Sequence, residues 1–236
     1  MIPKIGISMG DPAGIGPEII IKTLALKDVY NRCNPLVVGD AETMQNEEDA
    51  LKSSLKINAI QDVNDAKFEF GIVDVYDLKN VNKNELQYGV VTAMAGKAAF
   101  EAVIKNIELA LANQIDATVT APINKESIHK AGYKYSGHTE IYADYTNTKK
   151  FAMLLADENF RVIHVSTHVS LRKACDLCKK DRVFEVITLL DDACKKFGIK
   201  KPRIAVAGLN PHAGENQLFG DEEVDEIIPA IEEAVK

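Results

Sequence analysis

No stretch of the 236-residue sequence approaches the roughly 20 consecutive apolar residues that a helix needs to cross a bilayer. The N-terminus also lacks the charged, apolar and small-residue regions of a secretory signal. Both absences imply a cytoplasmic protein with no membrane partner. Cysteine is scarce: four residues are too few for a disulfide scaffold in a chain this long, so reduced thiols are expected. Positive charge is in deficit, with 28 Lys and Arg against 35 Asp and Glu, a net charge of -7 and a pI near 5.3. Binding nucleic acid calls for a basic face to meet the phosphates, so no nucleic-acid partner is expected, although a local positive site could still hold a small anion. Internal repeats, low-complexity tracts and Pro/Gly/Ser linkers are all missing, and composition therefore places no domain boundary.

What is present is an ordinary globular balance of 46% apolar and 27% charged residues. Strand-like runs recur at Ile5–Met9, Pro35–Val38, Phe70–Val75, Ala117–Ala121, Phe151–Ala156, Arg161–Ser166 and Arg203–Ala207. Helical patterns fall between several of them, at Pro17–Leu26, Val90–Ala112, Asp181–Phe197 and Glu222–Val235. This alternation predicts an α/β fold with a largely parallel sheet, whose ligands gather at the carboxyl ends of its strands. Residues 44–69 are more polar and read as surface elements. Cys175 and Cys178 form a CxxC, but by pattern the pair lies mid-helix with no strand leading into it, as two small side chains one turn apart. The final helical pattern stops at Lys236 without a capping glycine or a following strand, so the sequence looks cut short.

The stretch MGDPAGIGPEIIIK concentrates glycine and proline between a strand-like and a helix-like run. It is no P-loop, because Pro17 and Glu18 stand where Lys and Ser or Thr would follow the last glycine. It half fits a dinucleotide fingerprint: Gly14 and Gly16 precede a helix and Asp40 ends the next strand, but Ile19 replaces the third glycine and Glu18 would oppose a pyrophosphate. It could instead shape one wall of a cleft with Asp11, or be simply a tight strand-to-helix turn with Pro17 in the first helical position. His138, His168 and His212 each fall just past a strand-like segment or in a loop entering a helix. On a parallel sheet such positions share one edge, and neutral imidazole is the commonest ligand of a catalytic divalent metal. Lys125 follows the Ala117–Ala121 strand on the same predicted edge and could pair with a phosphate or carboxylate, or face water. His129 and His164 read as exposed or structural.

Taken in order, GDPAGIGPE, TAPINK, SGHTE, STHVSLR and GLNPHAGE resemble the 4-hydroxythreonine-4-phosphate dehydrogenases of pyridoxal phosphate biosynthesis, from about Lys4 to the last residue. The resemblance implies a fold similar to the isocitrate and isopropylmalate dehydrogenases: two lobes around a cleft, a lobe boundary not placed by sequence, a homodimer, and NAD or NADP bound without the glycine fingerprint. It implies substrate-binding roles for His138 and Thr139, and places His168 and His212 as ligands of a divalent metal such as Zn, Mg or Co. No catalytic or cofactor-binding residue is assigned. The family's third metal histidine and further substrate residues belong to a segment beyond Lys236, so the resemblance also implies a chain lacking its C-terminal part. The implied reaction is oxidation of 4-phosphooxy-L-threonine at its C3 hydroxyl, followed by loss of the carboxylate from the resulting β-keto acid to leave 3-amino-2-oxopropyl phosphate. Three alternatives stay open: a threonate or erythronate phosphate as substrate, a metal-dependent hydrolase or aldolase, and a metal-binding but catalytically silent fragment.

Overall fold

Lys-Ile-Gly-Ile-Ser forms strand β1 (Lys4–Ser8), followed by helices α1 (Gly16–Leu24) and α2 (Lys27–Arg32) and by strand β2 (Asn34–Gly39). Leu36, Val37 and Val38 are all fully buried, the mark of a strand covered on both faces. The computed structural model describes residues 2–236, in two units divided between Thr148 and Lys149.

The first unit continues with α3 (Ala41–Leu51), β3 (Lys56–Ile60), β4 (Ile72–Asp77), α4 (Ala93–Leu111), β5 (Ala117–Thr120), α5 (Lys125–Lys130) and α6 (His138–Tyr145). Its five strands pair in the order β3-β4-β2-β1-β5, all parallel, as the alternating pattern predicts. Side chains of adjacent strand residues point to opposite faces. Val37 therefore joins Ile20, Ile21, Leu24 and Met44 in a core under α1 and α3, while Leu36 and Val38 join Leu109 of α4 in another. Burying each such side chain contributes about 1.5–3 kcal/mol. Asn106, fully buried on α4, donates from Nδ2 to the Gly6 carbonyl at 3.1 Å and so ties the helix to β1.

The polar reading of residues 44–69 needs correction. Met44 is fully buried inside α3, and Lys56–Ile60 is a sheet strand. Only one face of α3 is apolar, and β3 is an edge strand with one neighbour, so polar residues dominate both sequences. Asp40 also leaves the dinucleotide reading: its Oδ1 accepts the Thr43 N–H at 2.8 Å and caps α3, and Oδ2 accepts from the Val81 N–H.

The second unit holds a short antiparallel pair, β6 (Leu154–Ala156) with β7 (Arg161–Ile163), then α7 (Leu171–Leu177), α8 (Lys180–Lys196), a π-turn (Glu223–Ile227) and α9 (Ile228–Ala234). On α8 the buried Val183, Val186, Leu190 and Cys194 recur at helical spacing. Cys178, Val183, Ile227 and Ala230 form its core. The run Arg203–Ala207 is not a strand, because no neighbouring strand hydrogen-bonds to it. Nor is the CxxC mid-helix: Cys175 lies exposed inside α7, while Cys178 caps the end of that helix, where burial pushes its thiol pKa up. All four cysteines are free. Among the described residues no helix is long and apolar enough to cross a membrane.

Candidate active site

In the first unit the chain leaves β1 toward β2 on one side, and later returns to place β5 on the other. The crevice between the loops that follow β1 and β5 is thus the point where strand order reverses, the usual ligand position of an open parallel sheet. A cavity of about 280 Å³ lies there, lined by Asp11, Ala13 and Gly14 after β1, Pro122 and Asn124 after β5, and Gly89–Val91 ahead of α4. Two of the loop's glycines, Gly10 and Gly16, serve close packing. A Cβ on Gly10 would sit 2.4 Å from the Pro122 carbonyl oxygen, and one on Gly16 2.3 Å from that of Met9. Asp11 is only 6% exposed. Its Oδ1 accepts the Ala13 N–H at 2.8 Å, and burial raises its pKa against that hydrogen bond. Lys125 opens α5 with its side chain exposed, behind Asn124, which caps the helix by accepting from Ser127 N.

His138 is the first residue of α6 and Thr139 the second. The helix is held by Ile141, fully buried against Phe100, Val103 and Ile107, and by a 2.9 Å hydrogen bond from the Tyr142 hydroxyl to Thr118 Oγ1 of β5. Burial pushes the pKa of the His138 imidazole down, so the ring is neutral near pH 7. Its Nε2 is buried with no hydrogen-bond partner among the described residues. A buried polar atom left unpaired is costly and calls for a partner, whether water, an ion or a ligand group. His129 and His164 bond to backbone carbonyls, of Tyr135 at 2.9 Å and of Met153 at 3.4 Å, consistent with the structural roles expected of them.

His168 and His212 both belong to the second unit, both exposed, and both with left-handed backbone at φ 56° and 52°. His168 lies in the loop between β7 and α7, where Ser170 caps α7. His212 lies in the 3-10 turn Pro211–Gly214. The expected shared edge of a parallel sheet does not hold for these two, because β7 is part of an antiparallel pair and no strand precedes His212. Two exposed imidazoles are donors of the type that divalent cations take as ligands. Among the described residues no group of three or more His, Cys, Asp or Glu is arranged to hold one. A cavity of about 470 Å³ in the second unit is lined by residues such as Val162, Leu190, Cys194 and Ile204 and by none of the candidate residues.

Sequence reasoning passed over Glu223. It is 3% exposed, and its carboxylate gathers hydrogen bonds from the Asn210 N–H, the Asn210 side-chain amide and the Leu209 N–H, which hold its pKa below the usual carboxylate range. One signal was available: Glu223, Ile227 and Ala230 share a helical face, and an acid on an apolar face has a partner to find.

With this geometry in hand, relatives can be compared. The chain covers 99% of its own length and 70% of a Clostridium botulinum protein at 47% identity, named provisionally a D-threonate 4-phosphate dehydrogenase. Among solved structures, a 4-hydroxythreonine-4-phosphate dehydrogenase from Klebsiella pneumoniae matches with a TM-score of 0.90 and 41% identity over 99% of this chain and 70% of that one. One from Burkholderia phymatum matches with a TM-score of 0.85 and 42% identity over 98% and 70%. Dehydrogenation is common to these names, and the chain is an α/β oxidoreductase. It belongs to the family described as pyridoxal phosphate biosynthetic protein PdxA, which matches residues 31–236. The α/β fold expected from the sequence is thereby borne out.

Proposed function

We propose that the protein oxidises the C3 hydroxyl of a short hydroxy acid phosphorylated at C4, with NAD or NADP as hydride acceptor and a divalent cation at the reacting alcohol. The observation that supports this most directly is the neutral, half-buried His138, whose Nε2 has no partner among the described residues. In this reading the His138 ring and the Thr139 hydroxyl, both in the first turn of α6, bind and orient the substrate. As a neutral imidazole, His138 can accept a hydrogen bond at one nitrogen while donating at the other. His168 and His212 would hold the cation, each through a neutral ring nitrogen. A bound divalent cation supplies Lewis acidity toward the hydroxyl, and the nicotinamide supplies the hydride chemistry. The crevice beside Asp11 offers room for part of the substrate or dinucleotide, with Lys125 near its rim as a cation for a phosphate. The homodimer implied by the resemblance and the cytoplasmic setting expected from the sequence belong to the same reading.

Two substrates share this chemistry and differ at C2: 4-phosphooxy-L-threonine has an amine, D-threonate 4-phosphate a hydroxyl. A relative named for the second matches at 47% identity and structures named for the first at 41–43%, so both acids enter the test. Calorimetric titration of each acid, together with NADH formation from each in the presence of Co(II), tests the proposal. The expected result is binding of one or both acids and turnover that requires Co(II). Failure of both acids to bind would overturn it.

A further inference from the structure

The turn that carries His212 is built around a buried carboxylate. Glu223 Oε1 accepts the Leu209 N–H at 2.7 Å and the Asn210 N–H at 2.6 Å, while Oε2 accepts from Asn210 Nδ2 at 2.9 Å. Glu222 takes a second bond from the same amide at 2.7 Å. The turn closes tightly on this group: a Cβ added at Gly214 would lie 3.0 Å from Glu223 Oε2, and one at Gly208 would lie 3.3 Å from Oε1. Backbone from His212 through Gln217 is left-handed throughout, with φ between 44° and 78°. Non-glycine residues do not hold that conformation in sequence unless their surroundings fix it. Glu223 is itself anchored, because it opens the π-turn whose Ile227 is buried against Cys178 and Val183.

We propose that Glu223 is a positioning residue. Its carboxylate fixes the Leu209–Gly214 turn in one shape, and thereby the direction in which His212 offers its ring to a divalent cation. The inference rests on the metal role proposed above for His212. Both carboxylate oxygens are taken up by the turn, so Glu223 acts on the cation only through His212. A glutamine in its place would keep one acceptor and set an NH₂ group against the Asn210 amide, two donors facing one another.

The test uses this chain and Co(II) alone, with wild type, Glu223→Gln, His212→Ala and Glu226→Gln. The last is a control in the same π-turn, where Glu226 accepts from Lys180 N at 2.7 Å, outside the His212 turn. Glu223→Gln is expected to weaken Co(II) affinity about 10- to 100-fold, the worth of one charge-assisted hydrogen bond holding the turn. It should also speed amide hydrogen exchange at Leu209 and Asn210, beyond any change seen in Glu226→Gln. Fast exchange at both amides with affinity within about twofold of wild type would overturn the link to the cation; unchanged exchange would overturn the clamp itself. If wild type binds Co(II) no better than His212→Ala, the metal role of His212 fails and the affinity claim falls with it, while the exchange measurement still decides the clamp. Should Glu223→Gln not fold, Asn210→Ala removes only the side-chain bonds and is expected to cost about fivefold in affinity, the worth of one hydrogen bond; no loss would refute the proposal.

Discussion

Replacing Gly96 with alanine tests how closely α4 and α5 are packed. A glycine inside an exposed helix is normally a weakness, and alanine there gains about 0.8–1.0 kcal/mol. Gly96 is not such a site. A Cβ at this position would lie 2.0 Å from the Ser127 carbonyl oxygen, 2.1 Å from its carbon and 2.5 Å from the Ile128 nitrogen, all backbone atoms of α5. Real Cβ atoms essentially never come within 3.0 Å of such neighbours, so the two helices would have to part by about 1 Å. Overpacking of this kind costs about 1–3 kcal/mol, and a clash with backbone belongs at the upper end. Subtracting the helix-propensity gain leaves a net loss of about 2 kcal/mol. For a chain of this size that is a fall in melting temperature of about 4–8 °C. Calorimetry or circular dichroism of Gly96→Ala reads it directly, with the neighbouring exposed Lys97→Ala expected to stay within about 0.5 kcal/mol of wild type. A Gly96→Ala protein as stable as wild type, or more stable, would refute the packing argument.

Other outcomes follow from the same geometry. Asn106→Ala opens a cavity over β1 and leaves the Gly6 carbonyl without its side-chain donor, so urea unfolding should show a loss of about 2–4 kcal/mol; a loss under about 0.5 kcal/mol would mean the tie is idle. His138 is held neutral by burial, with a folded-state pKa below the ordinary 6.5, so below about pH 6.5 the unfolded chain binds the extra proton. Its contribution to stability is therefore full above that pH and is lost as pH falls, and wild type should lose more stability than His138→Gln between about pH 7.5 and 5. Parallel pH profiles for the two proteins would contradict this. His138→Ala should weaken binding of the phosphorylated acid while Co(II) affinity stays near that of wild type; equal losses in both titrations would show that His138 is misassigned.

The fold was legible where periodicity and burial agree. β2 reads as a fully covered strand because Leu36, Val37 and Val38 are buried in turn on both faces, and α8 reads as helix because its buried residues recur every three or four positions. Legibility ended where a segment's state depends on a neighbour. Arg203–Ala207 has the composition of a strand, but β structure needs a partner to complete its hydrogen bonds, and none pairs with it. The α3 region failed in the opposite sense, since one buried methionine in a polar helix is a faint signal.

The candidate site divides along a different line. Motifs brought His138, Thr139, His168 and His212 to notice, yet what distinguishes them physically is invisible in the motif: an unpartnered ring nitrogen at the start of α6, and left-handed backbone at both exposed histidines. A left-handed residue flanked by tight turns can aim a side chain only as well as its turn is held. The groups that hold such turns are therefore as much a part of the site as the histidines. For His212 that group is a carboxylate eleven positions along the chain, at the start of the Glu222–Val235 helical pattern. An apolar stripe broken by one acid, as at Glu223, Ile227 and Ala230, is the pattern by which such a group can be sought in a sequence, because burying a carboxylate without donors is prohibitive and its donors must come from a nearby backbone.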